Sequence, residues 1–279
     1  MKIKEGVLIT FVIIASLSSQ NLFSNDEMPK RIVSLKPVIT DTLIAIGAGD
    51  MIVGATKYCE LEALENRPQI VGDYTRPMIE KIVALRPDVV LNSEENSSRR
   101  SFEKMESLGI KTSFFSFSTP DEIVSSISAI GATIGMKKSA DAVALQIKKE
   151  FIELKKRWSS APQKKGFIIW GRRPIIAAGD ISYMGTLLSS IGVENAAKKS
   201  SVPYPRIGVE DILTANPDFI VDLSMGSEAH TPEEAWSKIK NCDAYKRGRI
   251  YIMNADDFRP GPRLPDALEN LARVIHGER

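Results

Sequence analysis

A chain of 279 residues, 43% hydrophobic and 26% charged, has room for one large or two medium globular domains with a sizeable core. Its formal net charge of +2 gives no electrostatic reason to expect nucleic acid or an anionic membrane surface as partner.

At the start, Lys2 and Lys4 precede an apolar run over 7–15 and then Ser16, Ser18 and Ser19. That order predicts a secretory signal peptide over 1–24, cleaved on export. A membrane anchor is the rival reading, but the run is much shorter than the ~20 residues that span a bilayer. No cysteine lies near the cleavage region, so the expectation is a free, monomeric periplasmic protein. Cys59 and Cys242 fall in different predicted lobes, where a bridge would restrain lobe motion; two unpaired thiols are expected.

An N-terminal α/β lobe is expected over 30–118. RIVSL at 31–35 has a strand pattern, Lys36-Pro37 is a loop, and a helix carries Thr42, Leu43 and Ile46 before Gly47 ends it. A strand follows at 52–55, with Lys57-Tyr58-Cys59 as its loop. Next comes the segment around which the chain is organised, YTRPMIEKIVALRPDVVL at 74–91. It returns at an offset of 130 as YPRIGVEDILTANPDFIV at 204–221, matching Tyr74 with Tyr204, Arg76 with Arg206, Glu80 with Glu210 and Asp88 with Asp218. Each copy predicts a loop, a short helix with paired apolar residues (Ile82 and Val83; Ile212 and Leu213), a Pro-Asp stop, and a strand buried on both faces. Two such copies imply two similar lobes whose Tyr-x-Arg loops face one cleft. A further helix at 101–108 and strand at 110–115 complete the first lobe.

Connecting helices are expected over 119–160. Ile123, Ile127 and Ile130 share one helical face, and Val143, Ile147, Phe151, Leu154 and Trp158 mark a helix from Ser139 to Trp158. At 1.5 Å per residue it would extend ~30 Å, a stiff connector between lobes. Trp158 is read as packing, and Lys155-Lys156-Arg157 as a solvated face. APQKKG at 161–166 marks the boundary of a C-terminal α/β lobe over 165–279. Its expected elements are a strand at 167–170 with the loop Gly171-Arg172-Arg173-Pro174, a helix within 182–192, the second repeat, and a strand at 250–253. The loop at 256–263 then leads to a closing helix with Leu264, Leu268 and Leu271.

Phosphate-loop, dinucleotide, nucleophile-elbow and His-Glu-x-x-His patterns do not occur, and His230 and His276 are read as surface residues. Tyr58, Tyr74, Arg76, Trp170, Arg172, Tyr204, Arg206, Phe258 and Arg259 fall instead on predicted strand-to-helix loops, the ends of strands where open α/β sheets hold ligands. Aromatic faces stack on a large flat ligand and arginine forks grip carboxylates at its rim, a chemistry of binding. Local packing is the plain alternative for any one of these side chains; repetition favours a ligand role for Tyr74 and Tyr204. A first-turn Glu such as Glu80 or Glu210 is, alone, a favourable partner for a helix N-terminus.

With RIVSL, VGATKYC, the doubled Glu helix, the long connector and RPGPRLPDALENLA in hand, the chain resembles the cobalamin, ferric-siderophore and haem binding proteins of ABC importers. The resemblance covers nearly all of the mature chain. It implies two Rossmann-like lobes joined by one backbone helix, a metal-chelate ligand in the cleft, and docking of Glu80 and Glu210 on permease arginines in the inner membrane. It also implies no catalysis and no resident cofactor. A corrinoid is favoured, with a ferric siderophore or haem as the alternatives left by tyrosine at both positions preceding the glutamates. A two-lobed metalloenzyme would need several Cys or His ligands, and a cell-envelope interaction domain would leave the paired loops without a role.

Overall fold

Short runs rich in β-branched residues build the middle of two sheets in a computed structural model that describes residues 28–73, 75–94, 99–197, 200–224 and 231–277. The expected signal peptide, Tyr74 and His230 lie outside the described residues.

The first sheet is formed by β1 (Ile32–Ser34), β2 (Ile52–Ala55), β3 (Gln69–Ile70), β4 (Val89–Ser93) and β5 (Thr112–Phe115) in the order β3-β2-β1-β4-β5, every pair parallel. Parallel neighbours require crossovers, and α1 (Pro37–Ala45), α2 (Ile79–Ala84) and α3 (Arg99–Ser107) supply helices for them. Val33, Leu35 and Val90 face an outer layer with Ile82, Phe102 and Met105, while Ile32, Val89 and Leu91 face α1. Burial on both faces explains why these strands read as unbroken apolar runs.

Two helices follow. Thr119 caps α4 (Pro120–Thr133) by accepting the Glu122 N–H, with Pro120 at the first helical position. The connector α5 runs Lys137–Trp158, about 33 Å at 1.5 Å per residue. At its end the Trp158 indole donates to Glu269 at 3.0 Å, Arg157 pairs with the same carboxylate at 2.6 Å, and the Trp158 ring stacks on His276 at 4.9 Å. His276 is therefore not the surface residue expected: it is half-buried, and its Nε2 contacts the Ile191 carbonyl at 2.8 Å.

The second lobe contains β6 (Lys164–Arg172), β7 (Ile175–Ala177), α6 (Tyr183–Leu188), β8 (Val193–Asn195), α7 (Val209–Ala215) and β9 (Phe219–Asp222). It continues with α8 (Pro232–Ala235), α9 (Asp243–Lys246), β10 (Ile250–Ile252) and α10 (Leu264–His276). Its parallel series β8-β6-β9-β10 mirrors β2-β1-β4-β5 of the first, and β7 is added antiparallel to β6. Of the segment 171–174, expected to be a loop, Gly171 and Arg172 thus end β6, and only Arg173 and Pro174 form the turn of a hairpin. Likewise Lys164, expected before the lobe, already opens its longest strand.

The repeat extends to the backbone. Arg86 and Asn216, 130 positions apart, end their helices with φ of 46° and 41°. Asp88 accepts the N–H groups of Lys30 and Arg31 at 2.7 and 2.8 Å, and Asp218 accepts that of Lys165 at 2.8 Å, so each Pro-Asp clamps the entry of its lobe's central strand. Only one member of each expected apolar pair is interior. Ile82 and Ile212 are fully buried but Val83 and Leu213 are exposed, because consecutive helical residues point about 100° apart.

The lobes do not meet through α5 alone. One hydrophobic core joins Ile39 and Leu43 of α1, Ile127 of α4, Ile147 of α5, Ile168 of β6 and Leu268 of α10.

Candidate ligand-binding site

Loops from the carboxyl ends of β2 and β10 meet around a cavity of about 450 Å³. It is lined by Pro37, Lys57, Tyr58, Cys59, Glu60 and Glu62 from the first lobe and Asp256 and Arg259 from the second. Tyr58 is 41% exposed, with the Lys57 ammonium 4.9 Å over its ring. Cys59 has a free thiol, as does buried Cys242. The Cys59 sulfur accepts from Thr40 at 3.1 Å and lies 3.3 Å from the Thr56 hydroxyl.

Arg259 is fixed before any ligand arrives. Its guanidinium lies 2.7 Å from Asp256, 3.1 Å from Glu60 and 3.6 Å from Asp41, and it donates to the Tyr58 carbonyl at 3.2 Å. Hydrogen bonding to Arg263 holds the Glu60 carboxyl below the usual range, against a smaller opposing effect of burial. Burial pushes Asp41 up, more than Arg263 and Arg259 pull it down. Asp41, Glu60 and Arg263 were not singled out in the sequence, where nothing local marks a partnership between residues more than 200 positions apart.

Trp170 and Tyr204, both expected to face a ligand, lie against each other. The Tyr204 segment lies beside β7, with Ala177 donating to Pro205 at 3.0 Å and Ile207 to Ile175 at 3.0 Å. This places the Tyr204 ring edge-on to Trp170, centroids 6.4 Å apart. The Trp170 indole N–H is buried with no hydrogen-bond partner among the described residues, a costly state that an acceptor on a ligand would relieve. Tyr183, missed in the sequence, lies 6.2 Å from Trp170 and donates its hydroxyl to the Phe258 carbonyl at 2.8 Å. It thereby ties the aromatic group to the residue beside Arg259.

Other expected site residues fall elsewhere. Phe258 is 1% exposed and packs in the shared core, so its ring offers no face to a ligand. Arg172 turns inward, its Nε 3.2 Å from the fully buried carboxylate of Asp222, which also accepts from the Trp236 indole at 2.9 Å. Arg76 and Arg206 are exposed. The turn carrying Arg76 is set by Asp73, whose carboxylate accepts from the Thr75 N–H and hydroxyl and the Arg76 N–H at 2.7–2.9 Å; these bonds, led by that of the Thr75 hydroxyl, lower its pKa. The D-x-T pattern was the available signal. Among the described residues no three His, Cys, Asp or Glu side chains gather so as to hold a metal ion.

Glu80 and Glu210 occupy the first turns of α2 and α7. The Glu80 side chain is 84% exposed with Lys104 3.8 Å away, and Glu210 is exposed as well.

The chain is similar over most of its length to known proteins. A vitamin B12-binding protein of Photorhabdus laumondii is 23% identical over 99% of this chain and 98% of its own. An uncharacterized ABC transporter substrate-binding lipoprotein of Bacillus subtilis is 31% identical over 99% of this chain and 88% of its own. The crystal structure of a periplasmic vitamin B12 binding protein of Vibrio cholerae superposes with a TM-score of 0.76 at 25% identity, covering 88% of this chain and 96% of that one. A periplasmic heme binding protein of Pseudomonas aeruginosa shares the fold at a TM-score of 0.78 and 22% identity, over 90% of this chain and 94% of that one. The sequence pattern of the periplasmic binding protein family matches residues 32–256, spanning both sheets and the connector between them, and the chain belongs to that family.

Proposed function

We propose that the chain is the exported solute-binding protein of an ABC importer, taking a metal chelate, foremost a corrinoid, into the cavity between its lobes and delivering it to a membrane permease. The observation that carries this reading is a cavity built from both lobes at the carboxyl ends of their strands, with Tyr58 on its wall and the Trp170–Tyr204 pair connected to it through Tyr183. The charge of the wall supports a corrinoid over haem. Glu60, Glu62 and Asp256 face Lys57 and an Arg259 whose charge is already met by carboxylates. Such a wall welcomes an edge of amide N–H donors and repels an edge of carboxylates.

The test is equilibrium dialysis of the purified protein against cyanocobalamin, haemin and a ferric hydroxamate siderophore, each followed by its visible absorbance. Retention of cyanocobalamin at low micromolar concentration is expected. Retention of haemin or siderophore with no retention of corrinoid would overturn the ligand assignment, and retention of none would overturn the chelate reading.

A further inference from the structure

The segment Arg259-Pro260-Gly261-Pro262-Arg263 belongs to the second lobe, between β10 and α10, yet both of its arginines reach the first. Arg259 Nη1 lies 3.1 Å from Glu60 Oε1 and 3.6 Å from Asp41 Oδ2. Arg263 Nη1 lies 2.9 Å from Glu60 Oε2, and its Nη2 3.3 Å from Asp41 Oδ2. Two forks and two carboxylates thus close a ring across the lobes. Between the arginines, Gly261 lies so close to α1 that a Cβ there would be 3.1 Å from Val38 Cγ2. Pro260 and Pro262 restrict the backbone on either side.

We propose that this segment is an inter-lobe clasp that sets the separation of the lobes and so the width of the ligand cleft. Each part of the sequence has a place in it: arginines four apart to span Glu60 and Asp41, prolines to hold that spacing stiff, glycine to let the backbone approach α1. Asp41 and Arg259 are little exposed, so their pairing contributes geometry more than net stability and is weakly screened, whereas the Arg263–Glu60 pair, 47% and 44% exposed, is screened more by salt. Arg259 and Glu60 also line the cavity, whereas Asp41 and Arg263 are not among its lining residues. The clasp can therefore be altered without touching the ligand wall, and the proposal stands whichever chelate the cleft takes.

The experiment measures electron spin distances between labels carried on non-canonical side chains at Lys104 of α3 and Lys246 of α9, one on each lobe, in the full-length mature protein. Asp41→Asn combined with Arg263→Gln should lengthen the mean distance and broaden its distribution. Each single change should do nearly as much as the pair, because either opens the same ring. A distribution of unchanged width in the double variant would overturn the proposal. If circular dichroism shows that the double variant does not fold, Arg263→Lys is measured in its place. It keeps the charge without the fork, and an unchanged width there is equally fatal.

Discussion

Arg172 Nε and Asp222 Oδ2 are 3.2 Å apart, the carboxylate fully buried and the arginine side chain 17% exposed, where β6 and β9 run side by side. A cation at a strand end, which in sequence suggests ligand recognition, is here the internal counter-charge of a neighbouring strand. Arg172→Ala leaves Asp222 buried without its cation and should destabilise the protein by about 3 kcal/mol. Urea unfolding measures this. Corrinoid affinity at a temperature where the variant is folded should stay near that of the unaltered protein.

The aromatic pair makes the opposite expectation. If these rings stack on the ligand as proposed, Trp170→Ala and Tyr204→Ala should each weaken its binding by about 1–3 kcal/mol. Tyr204, 41% exposed, should have little effect on the melting temperature when changed. The same loss is expected for Tyr74→Ala from its place in the repeat. Titration calorimetry reads all three, and unchanged affinity in all of them would remove these residues from the site.

Most of the architecture was legible because its signals are periodic and local. The heptad-like steps of α5, the β-branched strands and the doubled segment each state their conformation within a few residues. The site was legible only where one lobe supplies it. Trp170 and Tyr204 lie together, but Phe258 sits beside a cation in sequence and inside the core in space. The partners of Arg259 lie about 200 residues away. Identity also hides equivalence: Arg86 and Asn216 share a left-handed backbone, and nothing in the two letters says so.

Acid should weaken the fold, with a sign fixed by three carboxyls. Glu60 and Glu269 titrate below the ordinary range in the folded state. For Glu269 burial is the largest single influence and raises it, but the bonds from Trp158, Arg273 and Arg157 together outweigh it. Groups with depressed folded values contribute stability that is present above the unfolded pKa, 4.5 here, and lost as pH falls through the folded value. Asp41, pushed up by burial, acts with opposite sign: below its raised folded value its protonation favours the fold. Urea midpoints taken from about pH 6 down to pH 3 should therefore fall. The decline should be shallower in Glu60→Gln and steeper in Asp41→Asn, and the reverse order would contradict the assigned directions.

Glu80 and Glu210 are expected to bear on transport without bearing on binding. Each sits in the first turn of a short helix at matching places on the two lobes, and neither lines the cavity. Exposed Lys104 lies 3.8 Å from the Glu80 carboxylate, a pairing of the kind that contributes almost nothing to stability. Two separated carboxylates in repeated settings suit a two-fold partner that carries cations, since the pair fixes orientation as well as attraction. Charge reversal should then repel. Glu80→Arg combined with Glu210→Arg is expected to leave ligand affinity and melting temperature nearly unchanged while abolishing uptake and association with permease-containing membranes, each single reversal doing partial damage. Uptake by cells carrying the double variant checks this against cells with the unaltered protein. Normal uptake would return both residues to the simpler role of first-turn glutamates that complement a helix dipole.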